Sequence, residues 1–294
     1  MAAYDKNGNV LSNAYDVNGT SLNSAYDVDG DVVFGGIDYD NYNISSLLNI
    51  NVSNCQGIAI HNNVLFQFRA SGSSVTDTVC LFNFTSGADI NRDMSIKSDH
   101  GDSASFSNEY YADGDEFPML YVSADTTPAK IYVDRVTRSS ASLIRTLVFP
   151  SSAGYYGAGA FDWDNDICYL LAYKKNNYQT DDSGTNTTVV SKWDLSHLTD
   201  NGDGTYTPAF IEQYERPFIY VMQGLEFYDG MIWVTSGYGS AESYIYALDP
   251  VDGTLLYAVD LNTTTEVEGI AFISNTEAVV GFQGGTYKKI TFGS

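Results

Sequence analysis

Gly57-Ile-Ala-Ile-His-Asn-Asn63, Gly159-Ala-Phe-Asp-Trp-Asp-Asn165, Gly224-Leu-Glu-Phe-Tyr-Asp-Gly230 and Gly269-Ile-Ala-Phe-Ile-Ser-Asn275 share one pattern. Each opens on glycine, alternates small or apolar side chains and ends on a turn former, which reads as a half-buried strand entering a tight turn. A weaker copy, Asp102-Ser-Ala-Ser-Phe-Ser-Asn108, falls between the first two. Strands rich in Val, Ile, Leu and Tyr follow each copy: Val64 to Phe68, Met119 to Val122, Ile167 to Tyr173, Met231 to Thr235 and Ala278 to Phe282. The five anchors stand 45, 57, 65 and 45 residues apart. A repeat of that length, built only of strands, is the period of a β-propeller blade.

Working outward, each anchor has a further strand in front of it. Leu47-Leu-Asn-Ile-Asn-Val52, Leu143 to Phe149, Ala209 to Tyr214 and Leu255 to Leu261 are examples. After Gly269 only three strands remain, so the last blade lacks its outermost one. The sequence therefore predicts an all-β, five-bladed β-propeller over residues 45–294, closed by the strand at 47–52, which would leave no long free sheet edge. Helical periodicity is close to absent, with one short turn expected at Ser196 to Leu198.

Residues 1–44 carry a shorter repeat and form a separate, extended segment in this reading. Ala3-Tyr4-Asp5, Ala14-Tyr15-Asp16 and Ala25-Tyr26-Asp27 recur every 11 residues, followed by Asn7-Gly8, Asn18-Gly19 and Asp29-Gly30. Asn-Gly and Asp-Gly supply the positive φ angles of a type I′ turn, so each unit reads as a minimal hairpin. Eleven residues cannot bury a core, so these hairpins are expected to dock on another surface through Tyr4, Tyr15 and Tyr26. Asp27, Asp29 and Asp31 have calcium-loop spacing. The sixth position of such a loop, which needs glycine, is Val32, so turn chemistry is the better reading.

Thirty-seven acidic against fourteen basic residues give a formal charge of −23. Such a surface repels phosphate backbones and anionic lipids, which argues against nucleic acid and membrane partners. Solubility, cation binding and packing beside other subunits all remain compatible with it. Cys55, Cys80 and Cys168 are scattered and odd in number, and read as buried free thiols. No charged-then-apolar leader opens the sequence and no apolar run approaches a membrane span. Synthesis in a bacterial cytoplasm, with the virion as destination or the cell surface as the alternative, is the expectation.

No GxSxG elbow, HExxH helix, P-loop or GxGxxG turn is present, so no catalytic residue and no cofactor are expected. A ligand would sit where the inner strands begin and the loops converge. Gln56, Gly101, Asp102, Tyr156, Gln223 and Glu268 stand at or beside the anchors, with Tyr155, Trp163, Trp233 and Tyr238 as aromatic surfaces for a sugar ring. Most of these aromatics can equally fill space between blades, and for Trp233 that is the better reading. Asp162, Asp164 and Asp166 would share one face if they lie on a strand and form a weak calcium candidate, but a solvated turn between two strands is the better reading.

Two stretches resemble known families. Gln223 to Gly239, with Ala247-Leu-Asp-Pro-Val-Asp-Gly253 behind it, is similar to a blade of the plant and bacterial glutaminyl cyclases, which are five-bladed propellers. That resemblance implies an acidic residue two positions before the Ser-Gly step; Val234 stands there and cannot move a proton. Runs such as Ala14-Tyr-Asp-Val-Asn-Gly19 resemble the repeated openings of tail and other virion-attached proteins of phages and prophages of gut Firmicutes. The combined expectation is a non-enzymatic virion attachment protein, partnered by other virion proteins or by itself, which displays a propeller to a host glycan. A bacterial surface or secreted carbohydrate-binding propeller and a glutaminyl cyclase-like enzyme are the alternatives.

Overall fold

The computed structural model describes residues 37–50, 52, 54–69, 77–177 and 185–293 in full, and the backbone alone of Thr76 and of short strands between residues 3 and 34. Five antiparallel blades of four strands form the body. Blade 1 runs through Cys55–His61, Val64–Arg69, Thr76–Asn83 and Asp89–Lys97. Blade 2 comprises Ala104–Phe106, Leu120–Ala124, Lys130–Val136 and Ala141–Val148. Blade 3 comprises Tyr155–Asp162, Ile167–Tyr173, Thr187–Asp200 and Thr205–Pro217. Blade 4 comprises Met222–Tyr228, Met231–Ser236, Tyr244–Leu248 and Leu255–Asp260. Blade 5 comprises Val267–Ser274, Glu277–Phe282 and Thr286–Gly293, completed by Asp38–Asn49 from the other end of the chain. The outer strands of blades 2 and 3 also touch in a short parallel bridge, Thr146 with Thr205 and Leu147 with Tyr206.

The closing strand differs from the predicted 47–52. Asp38 pairs with Gly293 and Asn49 with Thr286, so closure uses a more N-terminal and more polar segment. Along it Tyr39 is buried and Tyr42 and Ile44 are half-buried against blade 5, while most of the other positions are open to solvent. An outermost strand packs on one face only, and polar side chains suit it. Ile50 and Val52 lie beyond the strand, buried under the connection into blade 1.

Five apolar layers, one between each pair of neighbouring blades, close the ring. Phe66 and Leu81 meet Leu120 and Val122; Ile131 and Leu147 meet Leu170 and Trp193; Tyr169 and Val190 meet Ile232 and Val234. Trp233 and Ile245 then meet Val280 and Phe292, and Val279 with Tyr287 meets Leu65 and Phe82. Burial of these faces drives assembly at roughly 25 cal/mol per Å² of apolar surface removed from water. Cys55, Cys80 and Cys168 are buried free thiols within the blades. At Ser196 there is no helical turn: Asp194 accepts the Ser196 amide within a strand bulge. The N-terminal hairpins form as backbone pairs, Ala3–Tyr4 with Val10–Leu11, Ala14–Tyr15 with Ser21–Leu22 and Ala25–Tyr26 with Val32–Phe34. The docking side chains Tyr4, Tyr15 and Tyr26, and the Asp27, Asp29, Asp31 spacing, lie outside the described residues.

Candidate functional site

The anchor glycines explain the middle of the propeller. A Cβ on Gly57 would lie 2.1 Å from the Gly101 carbonyl oxygen, one on Gly224 would lie 2.5 Å from the Gly269 Cα, and one on Gly269 would lie 2.8 Å from the Ile58 nitrogen. Real side chains do not survive such distances, so the inner strands converge only because these positions lack one. Ser103 spans the gap, its hydroxyl lying 2.9 Å from the Gly159 carbonyl oxygen and 3.0 Å from that of Leu225. The axis is thereby pinched, with one basin where the inner strands begin and another where they end.

At the first mouth the inner strands leave regular pairing. Register shifts fall between Cys55 and Ile58, Tyr155 and Ala158, Met222 and Leu225, and Val267 and Gly269. A bulge turns side chains away from the sheet face they would otherwise occupy. The amides it frees are satisfied by hydroxyls: Ser123 accepts from Gly159 at 2.9 Å and Thr235 from Gly224 at 2.7 Å. Tyr156, Val221 and His100, all at this mouth, have φ angles of 53°, 33° and 86°. Left-handed backbone at non-glycine residues, a β-branched one included, costs about 1–3 kcal/mol each and clusters where a site over-determines its shape.

The basin holds a cavity of about 160 Å³ lined by Gln56, His100, Asp102, Asp125, Tyr156, Gln223, Tyr238 and Glu266, among others. The structure thus brings together Gln56, Asp102, Tyr156, Gln223 and Tyr238 from the sequence-predicted set. Asp102 takes the place in blade 2 that glycine holds in the other four, so its carboxyl enters a ring otherwise without side chains. Its Oδ1 is buried with no protein partner. Burial, reinforced by Asp125 and other acidic neighbours, holds its pKa well above the usual carboxylate range. Glu268, 1% exposed, sits just behind; neither of its oxygens has a protein partner, and burial, then Glu266 and Asp102, push its pKa well up too. Glu266, which accepts from Gln223 Nε2 at 2.8 Å, and Asp125 are shifted in the same direction, chiefly by burial. Buried Asp77 fixes the loop carrying His100, accepting the Ser98 hydroxyl at 2.6 Å and the His100 amide at 2.8 Å.

One expectation needs correction, and two readings resolve as the sequence favoured, Trp233 as filling between blades and residues 162–166 as a turn. Trp163 lies at the opposite mouth, because it stands four residues beyond its anchor, about 13 Å along an extended strand. Trp233 is fully buried between blades 4 and 5 against Tyr39 and Phe272, with no surface to offer. Asp162, Asp164 and Asp166 do not share a face: the strand ends at Asp162, whose carboxyl accepts from Asn165 at 2.8 Å, and the other two are exposed in the turn. No group of three potential metal ligands gathers among the described residues. Gly101 and Tyr155 flank the mouth without lining its cavity. Sequence reasoning missed His100, Asp125 and Glu266, which arrive on loops that carry no repeat signal.

Val234, where the family resemblance implies an acidic group, is buried in the apolar layer between blades 3 and 4. Among solved structures, the fold is similar to the crystal structure of Myxococcus xanthus glutaminyl cyclase, with a TM-score of 0.54 and 14% identity over 86% of this chain and 96% of that one. It is also similar, at a TM-score of 0.47 and 10% identity, to a PQQ-bound aldose sugar dehydrogenase from Streptomyces coelicolor, over 87% of this chain and 99% of that one. Both of those proteins are enzymes, and the likeness to them is one of fold. No family model matches the chain, and no curated protein does.

Proposed function

We propose that the first mouth binds the terminal sugar of a host-surface glycan without transforming it, and that the propeller is the recognition head of a virion attachment protein. The observation that carries this reading is Asp102, half-buried and with its Oδ1 lacking a protein partner, at a cavity of about 160 Å³. A cavity of about 150 Å³ accepts one six-membered ring. Burial favours the protonated form of Asp102, which can donate a hydrogen bond, Gln56 and Gln223 both donate and accept, and Tyr156 and Tyr238 offer ring surface; alternating hydroxyls need that mixture. The formal charge of −23 disfavours anionic sugars. The three evenly spaced hairpins would attach the head to other virion proteins or to a second copy. Titration of the protein with a panel of neutral monosaccharides, followed by saturation-transfer NMR, tests the binding. At least one sugar should bind saturably and lose most of its signal in Asp102→Ala and Tyr238→Ala; a silent panel, or variants that bind as well, overturns the reading.

A second reading, proton transfer of the glutaminyl cyclase kind, is favoured by the two carboxyls Asp102 and Glu268, whose pKa values burial raises, since a protonated carboxyl can act as a general acid. Peptides with N-terminal glutamine should cyclise no faster with the protein than without it. Turnover that disappears in Asp102→Asn would put the second reading first.

A further inference from the structure

The second mouth is built from different chemistry. Two positions beyond the anchors the five inner strands carry Ala59, Ala104, Phe161, Glu226 and Ala271. Three alanines leave room, and the one carboxylate breaks the column. The basin they open measures about 290 Å³, and its wall includes His61, Phe106, Trp163, Tyr228 and Phe272. An adjoining groove shares Trp163 and Tyr228 and adds Asp162, Asp164 and Asp229 at the rim. Neither cavity is lined by a lysine or arginine.

We infer that this basin is a separate binding site for a compact organic cation of the methylated-ammonium class, received by the Glu226 carboxyl and by the aromatic side chains of Trp163 and Tyr228, with Phe272 stacked behind Tyr228. Aromatic faces attract such cations through their quadrupoles, most strongly when the site is dry. The rings are already in place. Trp163 stacks on Phe161 with centroids 4.8 Å apart and donates to Ser105 at 3.1 Å, and Tyr228 stacks on Phe272 at 4.1 Å and donates to Asn275 at 2.7 Å. Glu226 is fixed as well: its Oε2 accepts the Phe272 amide at 2.8 Å. Preorganised rings and a fixed carboxyl lower the ordering cost of binding.

Burial raises the Glu226 carboxyl to about 8, so near neutrality it is largely protonated until a cation draws the proton off. Beside it in the basin are His61, whose imidazole burial pushes below its usual range and so toward the uncharged form, and the Tyr228 phenol, raised by burial, while Asp162, Asp164 and Asp229 line the adjoining groove.

The test is isothermal titration of the full chain with choline chloride at about pH 9 and pH 6, beside 3,3-dimethylbutan-1-ol, the neutral analogue of the same shape. Choline should bind about tenfold more tightly at the higher pH, where Glu226 is ionised, and about tenfold more tightly than the alcohol. Glu226→Gln should abolish the pH dependence, and Trp163→Leu should weaken choline about tenfold with the same melting behaviour. Glu268→Gln, at the other mouth, should leave choline binding unchanged. Equal affinity for choline and the alcohol, retained affinity in both Glu226→Gln and Trp163→Leu, or no saturable binding of choline overturns the assignment.

Discussion

Replacing Glu268 by glutamine isolates the energetic cost of the first mouth. Glu268 is 1% exposed, lacks a protein partner at either oxygen and lies beside two further acidic groups, Glu266 and Asp102. Its folded pKa is raised well above the unfolded value of about 4.5. The folded chain therefore holds a proton that the unfolded chain releases, and stability from this group is complete below about pH 4.5 and lost as pH rises through the folded pKa. Each pH unit above about 4.5 over which the folded chain keeps that proton costs up to about 1.36 kcal/mol, and local relaxation reduces this. Glutamine has nearly the same shape and no proton to release. Glu268→Gln should therefore raise the melting temperature by about 5–10 °C at pH 7.5 and leave it nearly unchanged at pH 4.5. Urea unfolding at the two pH values measures the difference directly, provided the slope with denaturant stays constant. An equal effect at both pH values, or destabilisation at pH 7.5, would refute the view that an uncompensated carboxyl is stored here. Sugar binding at the mouth should weaken in the same variant, as expected when a site is maintained at the expense of stability.

Two further outcomes follow from the architecture. Removing residues 1–36 should leave the propeller's thermal transition almost unchanged, whereas removing 1–50 should lower it by more than about 10 °C or cause aggregation visible by light scattering, because it strips Tyr39 from Trp233 and Phe292 and bares the Thr286–Gly293 edge. Gly224→Val, which would force a side chain toward the Gly269 Cα, should cost about 3 kcal/mol or more in chemical unfolding, while Gly284→Ala, with open space around it, should stay within about 0.5 kcal/mol of the parent.

The legible part of this protein is the part that repeats. Gly57, Gly224 and Gly269 mark strand after strand because close approach at the axis leaves no space for a side chain, Gly159 because Ile131, Phe161 and Cys168 crowd it, and a recurring glycine leaves a periodic trace. The one departure, Asp102, was visible as a faulty anchor. Its meaning depended on knowing that the anchors face one another. The closing strand was harder to see, since an outermost strand buries one face and residues 38–46 carry too few apolar side chains to extend the signal of the Leu47-Leu48 run at the strand's end. Loop residues such as His100 and Glu266 left no trace at all. Their placement depends on single hydrogen bonds to Asp77 and Gln223 that no pattern announces.

The same pinch that makes the fold legible also separates the chemistry of its two ends. Were the axis an open channel, one continuous acidic lining would serve both mouths. Ser103 and the convergent glycines instead place Asp102 and Glu268 on one side and Glu226 on the other. Asp102 and Glu226 are each the one carboxyl in their blade-to-blade column: aspartate among four glycines, glutamate among three alanines and a phenylalanine. A ring of near-identical strands gains specificity by breaking its own symmetry, and in this chain it breaks once at each anchor level that opens into a cavity. The two ends can therefore take unrelated ligands without competing for residues, and a substitution confined to one should leave the other's binding intact.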